Sequence, residues 1–236
     1  MLKDLLFLLV LFLTNIVQGI TGFAGTVLAM PPSILLQGIN IAKPILNVLG
    51  LFVAIWITII SYKSLNKKEF FKIMLIMFLG LIAGNYIYSI IPVPLLLKIY
   101  AIFIIGISIK GLFVKKEANI SEIILIIILI IAGIMHGMFV SGGPLLIIYA
   151  TNKLKDKTEF RATVSCVWII LNSYLAYSHY TENLFTSDVI SKLLWSIIPV
   201  IIGVIIGNIL HKKMSQKLFL LITYILLIIS GITLLF

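Results

Sequence analysis

Two glycine-rich stretches carry the residues whose types and spacing suit chemistry: Gln18-Gly-Ile-Thr-Gly-Phe-Ala-Gly25 with Thr26, and His136-Gly-Met-Phe-Val-Ser-Gly-Gly-Pro144. Each interrupts a long apolar run. Glycine admits positive φ and lets backbone approach a ligand closely. A helix that starts after such a break presents unpaired N–H groups and a partial positive charge, which binds an oxyanion without a lysine. Pro144 suits the first turn of that helix, where its missing N–H costs nothing. The candidate contacts are therefore Gln18, Gly19, Thr21, Gly22, Gly25 and Thr26 on one side, and His136, Gly137, Ser141, Gly142, Gly143 and Pro144 on the other. The competing reading of these small residues is close packing between helices.

Beyond the breaks, Lys43 and Arg161 each begin the apolar segment that follows, and Asn47 and Ser165 lie one turn further in. The two cations read either as entry or gating charges for an anion or as residues that snorkel to headgroups. Asn47 and Ser165 read as facing the interior. Asn85 and Asn208, each beside a Gly-x-x-x-Gly, read as holding helices together, and Trp56, Trp168 and Trp195 as packing or interface anchors. The acidic residues (Asp4, Glu69, Glu117, Glu122, Asp156, Glu159, Glu182 and Asp188) all fall at segment ends or in loops, so a carboxylate proton relay at membrane depth is absent. His136 reads as a neutral structural histidine or as a proton carrier. An enzyme would have to use Ser141 with His136, five residues apart and with no acid to orient the imidazole. Cys166 lies in an apolar run and reads as packing; no zinc-type Cys/His cluster occurs and no cofactor is implied.

These residues must be positioned by membrane helices. Of 236 residues, 61% are hydrophobic and only 11% charged, with mean hydropathy +1.22. A soluble domain has roughly a quarter of its residues charged, so a soluble enzyme and a disordered chain are both excluded. The net charge of +10 sits in short clusters between apolar runs, the pattern of cytoplasmic membrane loops rather than of a nucleic-acid surface. The segment from Leu5 to Leu13 is read as retained, since no A-x-A-like site follows it. Six runs suit single spans: Pro44–Tyr62, Phe70–Ile90, Leu95–Val114, Ala162–Tyr180, Val189–Leu210 and Leu218–Phe236. Two stretches, Leu5–Gln37 and Ile123–Thr151, are too long for one span and contain the breaks.

The order is a broken element and three spans, then the same again. Gln18-Gly19 matches His136-Gly137, Gly25 matches Gly143 and Lys43 matches Arg161, all 118 apart (161 − 43). Gly80-x-x-x-Gly84-Asn85 matches Gly203-x-x-x-Gly207-Asn208, 123 apart (208 − 85). The expectation is an all-α integral membrane protein of two repeats, 1–118 and 119–236, forming one structural unit. If each broken element is a re-entrant hairpin, the loops at 63–72, 115–116, 153–161 and 212–217 all face the cytoplasm. Only Lys3, Lys43, Lys98 and Lys192 then lie on the other face. The halves would be inverted; the alternative is eight crossings with parallel repeats.

The motifs resemble the sulfite exporter TauE/SafE family of membrane anion transporters. The resemblance rests on Gln18 to Gly25 with Pro31 in one half, and on His136 to Pro144 with Tyr149 and Arg161 in the other; the Gly203/Gly207/Asn208 helix agrees with it. It implies a secondary transporter or facilitator for a small anion such as sulfite, thiosulfate, a sulfonate or a carboxylate. An anion channel and a non-transporting membrane partner subunit are the alternatives. The implied setting is the cell membrane, crossed several times, with a small anion and the lipid bilayer as partners and no nucleic acid. No feature of the sequence specifies an oligomeric state.

Overall fold

A computed structural model describes residues 2–22, 24–113, 120–154 and 156–211, and isolated positions between 221 and 235. The described residues are helical and contain no strand. In chain order the helices are α1 (Leu2–Thr21), α2 (Ala24–Gln37), α3 (Ile39–Ser61), α4 (Lys67–Ile90), α5 (Val93–Phe113), α6 (Glu122–Phe139), α7 (Gly143–Lys153), α8 (Lys157–Thr181) and α9 (Ser187–His211). A 3-10 turn, Tyr62–Ser64, closes α3.

Polar side chains start several helices. Asn66 caps α4 by accepting from Glu69 N (3.0 Å). Ser121 caps α6, and Asp156 caps α8 by accepting from Thr158 N and Glu159 N (both 2.8 Å). Each such bond satisfies a donor that the first helical turn leaves free.

Both long apolar stretches are broken where the glycines stand. α1 ends at Gly22 (φ 84), whose N–H bonds Gln18 O at 2.7 Å. α6 ends at Val140 (φ 54), whose N–H bonds His136 O, also at 2.7 Å. The two left-handed residues are themselves 118 apart (140 − 22). Glycine takes this conformation freely, whereas a β-branched valine takes it only under strain.

Packing repeats between the halves. α1 runs along α9 as α6 runs along α4. α2 folds back on α1 and touches α3, as α7 folds back on α6 and touches α8. α3 meets α8, and α2 meets α7. Glycines allow the two closest approaches. A Cβ on Gly19 would sit 2.7 Å from Val204 O and 3.0 Å from Gly207 Cα, and one on Gly137 would strike Leu81 O and lie 2.8 Å from Asn85 N.

Among the described residues, six helices are long and apolar enough to cross a membrane: α1, α3 with its 3-10 turn, α4, α5, α6 and α9. The spans read from the sequence differ in three places. α1 and α6, each read as part of a broken element, reach spanning length by themselves. α8 has 25 residues but falls short in apolarity, because Thr163, Ser165, Asn172, Ser178 and His179 are buried in it. Helix α8 therefore faces its polar groups to protein rather than lipid. Leu218–Phe236 lies outside the described residues apart from isolated positions.

Loop contacts bring specific chain ends together. Gln37, at the end of α2, donates to Asp4 Oδ1 near the start of α1 (3.1 Å), and Lys192 of α9 is 4.0 Å from Asp4. In the other half Lys153, at the end of α7, pairs with Glu122 at the start of α6 (2.5 Å), and Lys72 of α4 joins them. Asn66 donates its side chain to Glu159 (2.7 Å) and its backbone N–H to Thr163 (3.1 Å), tying the loop after α3 to the start of α8.

Candidate functional site

A small cavity of about 10 Å³, the room of about one water molecule, lies between the two breaks. It is lined by Gln18 from α1, Thr26 and Val27 from α2, Gly50 from α3, His136 from α6, Val140 and Ser141 from the second break, Gly143 from α7, and Trp168 and Asn172 from α8. Two pairs of its lining residues are 118 apart in the sequence: Gln18 with His136, and Gly50 with Trp168 (168 − 50).

The matched residues do different work. Gln18 braces the first break, since its Oε1 accepts from Gly25 N (2.7 Å) and its Nε2 donates to Gly22 O (3.3 Å). Thr21 Oγ1 donates to Val17 O (2.8 Å) and accepts from Ala24 N (3.3 Å). The first N–H groups of α2 are thus taken up by protein side chains. α7 differs: it has no side-chain cap, and its first turn carries Gly143 on the cavity wall and Pro144 behind it. Of the two helix starts, α7 is the one that reaches the cavity wall, at Gly143, without a side-chain cap.

His136 is held by Asn172, with Nε2 2.9 Å from Oδ1, and its ring stacks on Trp168 at a centroid distance of 4.7 Å. Since Oδ1 only accepts, Nε2 is the protonated nitrogen of the neutral ring. Asn172 in turn accepts through its backbone carbonyl from Asn47 Nδ2 (3.0 Å). Ser141 receives a hydrogen bond from Tyr100 of α5 and donates to Phe139 O, both at 2.8 Å, and the Tyr100 ring stacks on Phe139. With its proton on Phe139 O, Ser141 is neither a free donor nor a nucleophile paired with His136.

Several sequence candidates stand off the cavity wall. Gly19 and Gly137 serve helix contact, as described above. A Cβ on Gly25 would meet the Gln18 side chain, and one on Gly142 would meet Ala132 O and His136 Cβ. Gly22 faces Arg161 Cγ (3.1 Å from an added Cβ) and Ser165 Oγ (3.5 Å). Asn47 and Ser165 are fully buried beside the cavity residues rather than lining it. Lys43 and Arg161 are buried too, at 1% and 8% exposure. Lys43 Nζ sits over the Tyr88 ring (3.6 Å) with no hydrogen-bond partner among the described residues, and Arg161 Nη2 donates to Asn208.

Sequence reading missed Trp168, Asn172, Gly50, Val27 and Val140. No like-for-like match at 118 residues marks them, since Gly50 stands opposite Trp168 and Gly22 opposite Val140.

The family model for the sulfite exporter TauE/SafE family matches residues 7–234. The chain belongs to the sulfite exporter TauE/SafE family. Comparison with curated proteins and with solved structures gives no match. Membership makes this chain a multi-pass membrane transporter of the anion-exporter type, which agrees with the six membrane-competent helices among the described residues.

Proposed function

We propose that this chain moves a small oxyanion across the cell membrane as a secondary transporter or facilitator, and that the anion is held in the cavity between the two breaks. Sulfite, thiosulfate, sulfonates and small carboxylates are the substrate class. The observation that carries the reading is the cavity wall: both breaks contribute to it, and the uncapped start of α7 opens onto it. Broken helices are tolerated in a membrane only where protein or a water-filled cavity satisfies the freed backbone.

The transporter is proposed to be two inverted repeats, 1–118 and 119–236, each with a re-entrant hairpin. The contact of Gln37 with Asp4 and that of Lys153 with Glu122 support hairpins whose ends return to one level. The contact of Asn66 with Glu159 and Thr163 supports opposite directions for α3 and α8. Lys43 and Arg161 are proposed as entry or gating charges for the two approaches to the cavity.

The test is flux in proteoliposomes for sulfite, thiosulfate, sulfate and sulfoacetate, each as its sodium salt. A saturable flux of at least one, abolished by Gly143→Val in correctly inserted protein, is the expected result. Flux that never saturates would make the protein a channel. No flux of any of the four would overturn the reading.

A further inference from the structure

We propose that the indole N–H of Trp168 is the side-chain donor that grips the anion, with the His136 ring fixing its position. The inference rests on the cavity being the anion site and names the residue that sets its affinity.

Trp168 lines the cavity and is 5% exposed, yet its Nε1 has no acceptor among the described residues. An indole N–H can only donate. Buried with nothing to donate to, it carries the full penalty of an unmet hydrogen bond, and such groups in folded proteins call for a partner. Most other polar atoms on the cavity wall are committed; Thr26 Oγ1 and Asn172 Nδ2 stay open as further donors, and His136 Nδ1 is a buried acceptor without a partner among the described residues. Both polar atoms of Gln18 brace the first break. The Ser141 proton is on Phe139 O. Asn172 Oδ1 holds His136. Trp168, which shares the cavity wall with Gly143 at the start of α7, thus carries a donor in want of an acceptor, and a deprotonated oxyanion supplies acceptors only.

The placement is also held. The His136 and Trp168 rings stack at 29°, and Asn172 fixes His136, so the plane of the indole is set by a chain of two contacts. Its partner position in the other half is Gly50. There an added Cβ would already lie 3.3 Å from Thr26 Oγ1 and 3.4 Å from Asn172 Nδ2. One half supplies the donor and the other supplies the room. The site is consequently one-sided even though the helices around it repeat.

The experiment uses the full-length protein in proteoliposomes with the same four anions. Trp168→Phe keeps an aromatic ring over His136 and deletes the N–H together with part of the bicyclic ring. The expected result is a rise in KM of about ten- to hundredfold for the transported anion, the worth of one hydrogen bond to a charged group. A second arm keeps Trp168 and removes the two other tryptophans as Trp56→Phe/Trp195→Phe; both are exposed on the outer surface. In that background the transported anion, but not chloride, should change the tryptophan fluorescence with a midpoint near the flux KM. An unchanged KM in Trp168→Phe overturns the proposal while leaving anion transport standing. So does a silent Trp168 under saturating flux, and that arm decides the matter even where Trp168→Phe fails to fold. Absence of flux for all four anions in the parental protein would instead remove the anion-transport reading beneath it.

Discussion

At the scale of single residues, the hydroxyl of Ser141 illustrates how a polar group beside a site can belong to the scaffold. Tyr100 donates to it and it donates to Phe139 O, so α5 is tied to the second break through a buried chain of two bonds. Ser141→Ala strips Tyr100 of its acceptor. The variant should lose about 1–3 kcal/mol of stability, read as a lower melting temperature in detergent, while KM for the transported anion stays within about twofold. A large rise in KM without loss of stability would place the hydroxyl on the substrate instead. Arg161 makes the opposite case. Its fork donates to Asn208 and its Nε has no partner among the described residues, beside the positive-φ Gly22. Arg161→Gln should lower flux at limiting anion by about tenfold or more, and Arg161→Lys should recover only part of it, because one ammonium cannot reproduce the planar fork. Lys43→Gln should also slow flux, most strongly for anion supplied from its own side. Parental flux in both neutral variants at low salt would return the pair to anchoring.

At the scale of elements, glycines of one composition divide into two trades. Gly19 against Gly207, and Gly137 against Gly84, let α1 reach α9 and α6 reach α4 at backbone contact. Gly143 instead stands at the cavity wall, at the start of α7. Gly137→Val should therefore force α4 and α6 apart and reduce the yield of folded, detergent-stable protein, measured by size-exclusion profile. Gly143→Val should leave that profile intact and abolish flux. The same profile for both variants, whichever it is, would contradict the division. Both kinds of glycine look alike in the sequence, since a small residue is the requirement in each case; the difference lies in what faces it. Gln18 and His136 split in a similar way. They match in sequence and both line the cavity, yet one closes its own break and the other stacks on α8.

At the scale of the whole molecule, the pairing of helices in one half is repeated in the other, and the basic loops after α3 and α7 are drawn to the same region. Cysteines introduced at Asn66 and Asn152, with Cys166 replaced by serine, should both resist an impermeant thiol reagent in intact cells. Both should react in inside-out membranes. Reaction at only one of the two in intact cells would replace inverted repeats by parallel ones.

The membrane setting and the two breaks were legible in the amino acids alone. Apolar composition selects the solvent, and glycine and proline act on their own φ and on the adjacent turn, so both signals are local. Spanning length was less legible: Ala162–Tyr180 reads as a span, yet α8 falls short in apolarity, while α1 and α6 reach spanning length where only parts of broken elements were read. The cavity wall was decided by tertiary structure. His136 and Asn172 are 36 residues apart and Asn47 and Asn172 are 125 apart, yet each pair is hydrogen-bonded. No short-range pattern records which faces of α1, α3, α6 and α8 turn toward one another. That choice follows from backbone approach at the glycines, and it is what brings Trp168 to the anion's proposed seat and buries Lys43 and Arg161.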